Sequence, residues 1–344
     1  MATLALGTSL TLAELMRRET PDGNLADLVD VLNETNAITQ DATWIPCNRR
    51  TMHQDTQTAS EPSGETRIYD QGVAVEAGVS QLVTEPTEML DGRSNVDAAK
   101  MDHQPGGAGP SRTQEDGFFL RGMTKTFVGR LFSGNRAINV GQINGINNRS
   151  DYNALSSDYV FDNAGGNASA TVNKTSIYII QWGMKQVNLI YPRNDAPNGS
   201  PQFPISQEDL GRDLVVDERV STKQFLAYRT YFQIHFGIFI HDPRTIKRIV
   251  NISTTNIDGV DDFSFDEDLL IEAITELEND GAGAVMYINK TVFAQMAKRA
   301  NEKGNAQYTM DVEGEGPFAK RVLRFWGIPF KRVDQITSTQ ETVS

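Results

Sequence analysis

Cysteine is almost missing from this chain of 344 residues: Cys47 stands alone, so no disulfide can close within it. A reducing compartment, the cytoplasm, is the expected place of synthesis. Long apolar runs are missing too. None approaches the roughly 20 residues that span a bilayer, so no membrane association is expected. The opening stretch MATLALGTSLTLAEL has no basic region and meets Glu14 early, unlike a secretory leader. Without a leader, the Asn-x-Ser/Thr triplets at Asn33, Asn167 and Asn251 are composition rather than glycosylation sites. Positive charge is in short supply, with 32 Lys and Arg against 45 Asp and Glu, a formal net charge of −13. Such a surface is a poor general binder of nucleic acid.

The patterns that carry chemistry are absent as well. There is no phosphate loop ending in Gly-Lys-Ser/Thr and no Gly-x-Ser-x-Gly elbow. Gly281-Ala282-Gly283 precedes a strand instead of following one, so it is no dinucleotide fingerprint. IDGVDDFSFDED lacks the calcium-loop order of a central glycine and a distal glutamate, and reads as a solvated, helix-capping acidic face. Of the four histidines, His53 and His103 lie in polar segments with no Cys or His at ligand spacing. His235 and His241 share one face of the alternating stretch YFQIHFGIFIH, with Phe232, Ile234, Phe236, Ile238 and Ile240 on the other. Six residues of strand put them roughly 20 Å apart, too far to share a metal. No catalytic residue, cofactor or metal site is expected.

What is present is structural. Thr11-x-x-Glu14 reads as a capping box before a helix with Leu12, Leu15 and Met16 inward. Thr20-Pro21 opens a second, with Leu25, Leu28, Val29 and Leu32 at helical spacing. Two short amphipathic helices with little chain between them suggest an arm that packs on something else. Residues 44–75 are polar and rich in Thr, and read as a two-stranded hairpin turning near Ser60–Gly64. Neither strand has an apolar face, and an isolated ribbon is marginal in water, so a neighbour must support it. Ser111-x-x-Gln114 caps a helix to about Phe132, with Phe119, Met123, Phe127 and Leu131 in one stripe and Gly117, Gly122 and Gly129 interrupting it.

Residues 134–173 look loop-like. Strands are expected over 176–192, within 224–240, at 283–288, at 307–312 and over 321–336. Short helices are expected after Ser206-x-x-Asp209, and after Asp242-Pro243 with Ile246, Ile249 and Val250 inward. Two more follow Ser264-x-x-Glu267, with Leu270, Ile274 and Leu277 inward, and Asn289, ending at Gly304. Between Arg248 and Lys290 there are ten acidic residues and no basic one. Lys320, Arg321, Arg324, Lys331 and Arg332 form a basic cluster whose simplest reading is contact with an acidic neighbouring subunit.

In this order, the segments LTLAELMRRETPDGNLADLVDVLNETNAI with Trp44, the Pro62, Arg67 and Gly72-Val73 of the hairpin, TEMLDGRSNVD, the 111–135 helix ending FSGN, TSIYIIQWGMKQVNLIYP, AYRTYFQIHFGIFIHDPRTIKRIVNI, AVMYINKTV and FWGIPFKRVDQI resemble the major capsid proteins of tailed bacteriophages with the Hong Kong 97-type fold. The likeness is greatest to short-tailed phages of the epsilon-fifteen kind. It implies an α+β fold with an N-terminal arm at 1–43 and an extended loop at 44–75 that overlaps an adjacent subunit. It also implies a peripheral domain at 76–134 and 174–250, with its spine helix at about 111–132, and an axial domain at 135–173 and 251–344. The strands at 176–192 and 224–241 would share the peripheral sheet.

The function implied is a shell of pentamers and hexamers enclosing double-stranded DNA without sequence readout, in a virion assembled in the host bacterial cytoplasm. Portal, scaffolding and decoration proteins are the implied partners. The other reading is an encapsulin-like nanocompartment of the same fold. Subunit contacts are expected at Arg49, Arg50, Arg67, Arg324, Lys331 and Arg332, and spine-helix hinges at Gly122 and Gly129. Some members of this fold crosslink through a lysine on the extended loop; residues 44–75 contain none, so a non-covalent shell is expected.

Overall fold

The structure, a computed structural model, describes residues 38–103, 108–167, 173–193, 205–216, 223–255, 263–301, 308–313 and 320–343. The arm helices expected after Thr11 and Thr20, and the helix stop at Gly304, lie outside these residues. In chain order the elements are α1 (Ile38–Asp41), β1 (Trp44–Pro46), β2 (Met52–Ser60), β3 (Val79–Pro86), β4 (Glu88–Asp97), α2 (Ala98–Asp102) and α3 (Ala108–Ser133). Next come β5 (Val160–Asp162), β6 (Lys174–Gln181), β7 (Val187–Tyr191), β8 (Ile205–Val216), β9 (Gln224–Ile240) and β10 (Ile246–Ser253). The last are α4 (Glu267–Thr275), β11 (Ala284–Ile288), α5 (Lys290–Ala300), β12 (Tyr308–Glu313), β13 (Lys320–Phe325) and β14 (Ile328–Arg332).

The described residues fall into two compact units, one from 89–127 and 203–235 and one from 35–88, 128–202 and 236–344. In the first unit, β8 pairs antiparallel with the opening part of β9. Phe119 of α3 stacks on Phe232 with ring centroids 5.9 Å apart. Arg112 holds Asp209 and lies 4.8 Å from the centre of the Tyr228 ring. The helix expected after Ser206 is therefore strand. Ser-x-x-Asp mimics a capping box, but the run 205–216 has a partner strand and no apolar helical face to bury.

The second unit is built on a seven-stranded sheet in the order β12-β13-β14-β11-β6-β10-β5. β6 is antiparallel to both β10 and β11, with Ile177 opposite Ile249 and Ile179 opposite Met286. All residues of these three strands are buried. α4 and α5 supply Leu270, Ile274, Val292 and Met296 to the same core, each fully buried aliphatic side chain contributing about 1.5–3 kcal/mol. Asn289 caps α5 as expected, accepting from the Thr291 amide. α4 is capped by Asp266, not Ser264, so the helix starts two residues later than the Ser-x-x-Glu pattern suggests.

Two further expectations change. Asp242 does cap Pro243, but only a single 3-10 turn over Pro243–Thr245 follows, and 246–253 is strand. Ile246, Ile249 and Val250 sit at helical spacing by coincidence, because a strand buried on both faces shows no alternation. The stretch 176–192 also splits. β6 joins the seven-stranded sheet, whereas β7 pairs with β1 and with the end of β9. The expected boundary between 174–250 and 251–344 thus cuts across one sheet.

The turn between β13 and β14 has two residues, Trp326 at φ 49° and Gly327 at φ 80°, as a tight hairpin requires. The last turn of α3 leads into Gly134, whose carbonyl accepts from the Gly145 amide at 2.9 Å. A Cβ on Gly145 would lie 2.6 Å from the Phe132 carbonyl oxygen, so only glycine fits that crossing.

Candidate subunit-contact surface

The polar run beginning at Met52 forms a ribbon, but its second strand is β3 rather than the residues before Val75. Residues 61–78 link the two strands. The register places His53 opposite Glu85, Asp55 opposite Val83 and Gln57 opposite Gln81. Cross-strand partners share a face, so these residues line one side. That side explains how a ribbon without an apolar face is held.

At its base, Val83 packs on the buried cluster of Cys47, Ile190 and Phe239. Glu85 accepts from Arg149 Nη1 at 2.7 Å. Gln57 Nε2 donates to the Ile240 carbonyl at 2.7 Å. Asp55 Oδ2 lies 2.9 Å from His241 Nδ1. His53 is buried between these groups, its ring 4.6 Å from Phe239 and 5.9 Å from His241. Burial holds the His53 imidazole below its ordinary pKa, and the neighbouring His241 adds to the shift. The Thr56 amide and His241 hold the Asp55 carboxyl below the usual carboxylate range, against the opposing effect of burial. Burial pushes the Cys47 thiol up to about 11.

His53 and His241 are distant in sequence, and no ligand spacing links them. Pairing of β2 with β3 and packing of β2 on the end of β9 bring them together. Among the described residues no group of three or more His, Cys, Asp or Glu could hold a metal ion.

Past its base the ribbon stands open to solvent. Every residue from 58 to 82 is exposed, including Ile68, Tyr69 and Val75 at 73%, 94% and 99%. Arg67 lies in this segment and is exposed. Arg49 and Arg50 are exposed at the root, where the Arg49 amide donates to the Met52 carbonyl and the Arg50 carbonyl accepts from Arg193.

The C-terminal basic residues are less available than their sequence suggests. Lys331 pairs with Asp41, and Arg332 with Asp334. Arg324 donates to the Gly327 carbonyl at 3.2 Å. Asp41 also accepts from the Tyr287 hydroxyl, which in turn receives the Trp182 indole N–H at 2.8 Å. Burial and the Asp41 charge raise the Tyr287 pKa far above its ordinary value. The Lys331–Asp41 pair therefore ties α1 to β14 within one chain.

In α3, the stripe of Met123, Phe127 and Leu131 is buried as expected. A Cβ on Gly117, Gly122 or Gly129 would meet nothing within 4 Å, so no close packing demands glycine there. Thr126 donates its hydroxyl to the Gly122 carbonyl at 3.1 Å, and Ser133 to the Gly129 carbonyl at 2.8 Å. Such bonds to the carbonyl four residues back give it a second donor and favour bending.

A family model described as major capsid protein GP7 matches residues 20–344. Among solved structures, that of bacteriophage Epsilon15 from cryo-EM is 29% identical, covers 99% of both chains and superposes with a TM-score of 0.70. The bacteriophage JBD30 capsid is 11% identical over 95% of this chain and 99% of its own, with a TM-score of 0.45. The SrpI encapsulin of Synechococcus elongatus is 12% identical over 74% of this chain and 94% of its own, with a TM-score of 0.39. No curated protein matches.

Proposed function

Because the chain belongs to the major capsid protein GP7 family, we propose that the exposed ribbon and its linking segment 61–78 are the means by which one copy grips the next in the shell. The chain is a phage major capsid protein with the Hong Kong 97-type α+β fold, and its place is the virion shell. The observation that carries this is the 29% identity to the Epsilon15 structure over 99% of both chains. It favours a phage head over an encapsulin-like compartment. No helix among the described residues is long and apolar enough to cross a membrane.

Within that role, the extended loop runs from 44 to 86, because β3 is its second strand. The seven-stranded sheet with α4 and α5 is the axial domain. α3, β4 and the β8–β9 pair form the peripheral domain, and residues 1–43 the arm. Copies associate as pentamers and hexamers through repeated contacts of closed symmetry. Arg49, Arg50 and Arg67 contact a neighbouring copy, since all three are exposed on or beside the ribbon. Arg324, Lys331 and Arg332 contribute less, because each has a partner in its own chain. Gly122 and Gly129 are the bending points of the spine helix. The shell is a non-enzymatic container for double-stranded DNA, with portal, scaffolding and decoration proteins as partners.

The test replaces residues 61–78 with a short Gly-Ser turn. Negative-stain images of the wild-type chain should show closed shells, and the variant should stay folded yet form none. Shells of normal size from the variant would overturn the ribbon's role. Native particles containing protein cargo and no DNA, with no portal at a vertex, would overturn the phage-head reading.

A further inference from the structure

The base of the ribbon brings two imidazoles together against one phenylalanine ring. We propose that His53 and His241 form an acid-sensitive latch that sets whether β2 and β3 stay fastened to the end of β9. The proposal concerns contacts within one chain and stands apart from how copies assemble.

The geometry carries it. His53 reaches the latch from β2, whereas Phe239 comes from the far end of β9 and His241 follows directly after it. Both imidazoles lie edge-on to Phe239, each with its centroid 4.6 Å from that ring. His241 Nδ1 faces Asp55. His241 Nε2 and His53 Nδ1 are buried without a hydrogen-bond partner among the described residues. The other charged or titratable groups around the latch are already engaged or apolar in behaviour. Glu85, opposite His53 on β3, is held by Arg149. Asp242, next to His241, is held by Arg244. Cys47 is a buried thiol packed against Phe239.

A neutral His53 suits this setting, because an unprotonated ring nitrogen tolerates an apolar wall. A proton added at Nδ1 would need an acceptor and would find none. It would also place a cation beside His241, whose one carboxylate is Asp55. The cost of burying that charge is relieved by opening the base of the ribbon to water. The sign follows from the depressed pKa of His53. Fastening is complete above the ordinary imidazole value of about 6.5 and is lost as pH falls through the lower folded value. Gln57 and Arg149 hold their contacts in acid, so the base loosens and the ribbon remains tethered.

Hydrogen exchange of the full-length chain between pH 8 and pH 5, with times scaled to intrinsic rates, reads this directly. Amides of 52–60 and 79–86 near the base should lose protection below pH 6.5, by up to about tenfold per pH unit, the limit for one proton. Amides of β6 and β11 should not change. His53→Gln should make ribbon protection independent of pH, and His53→Phe, which keeps the ring packed on Phe239, should do the same. His241→Asn removes the imidazole that adds to the His53 shift and should make the loss of protection in acid smaller. Wild-type ribbon protection that tracks β6 and β11 throughout would overturn the proposal. So would an unchanged pH dependence in either folded His53 variant.

Discussion

Arg149 Nη1 lies 2.7 Å from Glu85 Oε1, while its Nη2 donates to the Ile238 carbonyl at 3.2 Å. One guanidinium thereby fastens β3 to β9, and both side chains are largely withdrawn from water, at 13% and 15% exposure. Glu85→Gln would leave the guanidinium buried without its counter-charge. Hydrogen bonds to charged groups contribute about 1.5–3 kcal/mol, so a local loss near 2 kcal/mol is expected. It should appear as faster hydrogen exchange in 79–86 with little change in the core strands. Equal loss across the whole chain would mean that the pair supports the fold and not the ribbon.

Glycines in and after α3 divide into two kinds. Gly122 and Gly129 have open space where a Cβ would go, and Gly145 has a carbonyl oxygen at 2.6 Å. Alanine in a helix interior is favoured over glycine by up to about 1 kcal/mol. Gly122→Ala with Gly129→Ala should therefore raise the melting temperature of the unassembled chain, whereas Gly145→Ala should lower it. If α3 bends in an immature shell, the stabilised double variant should also stall expansion, seen as particles of unchanged diameter. Normal expansion of that variant would remove the hinge role from both glycines.

Local signals were legible in the sequence where one face was apolar or one cap was decisive. The stripe of Met123, Phe127 and Leu131, the Asn289 cap and the strand at 284–288 all show this. The reading failed where burial was two-sided or absent. Residues 246–253 are buried on both faces and so lost the period of a strand. The residues of 206–210 are exposed and offered only a false capping box. The meeting of His53 with His241 depends on how β2 packs against β9, and no spacing along the chain encodes it. The same holds for the pairing of Lys331 with Asp41, which no spacing along the chain encodes.

The observed ribbon reaches Pro86, which widens the segment relevant to covalent crosslinking. No lysine occurs from residue 44 to residue 86, and the next is Lys100. An isopeptide bond from this ribbon has no amine to begin from. Mature particles boiled in denaturant should run as a single band of monomer size. A ladder of multiples would show crosslinking from another part of the chain.

Arg248 offers the sharpest test of the core. It is buried, and its partners are neutral: the Tyr152 carbonyl at 2.7 Å, the Ser176 hydroxyl at 3.2 Å, the Gln340 amide oxygen at 3.3 Å and the Tyr178 ring. A guanidinium spreads its charge over five donors in a fixed plane and can satisfy all of these at once, which an ammonium cannot. The Gln340 backbone N–H also donates to the Lys174 carbonyl at 2.8 Å, so the guanidinium, by holding the Gln340 side chain, steadies the last stretch of chain across β6. Arg248→Lys keeps the charge and loses the fork. With two or more charge-assisted hydrogen bonds lost, destabilisation of about 3 kcal/mol is expected, together with faster proteolysis within 336–343. Gln340→Ala should free the tail at a smaller cost to global stability. If Arg248→Lys left both the denaturation midpoint and the tail unchanged, water would have to reach the guanidinium, and the buried position assigned to it would be wrong.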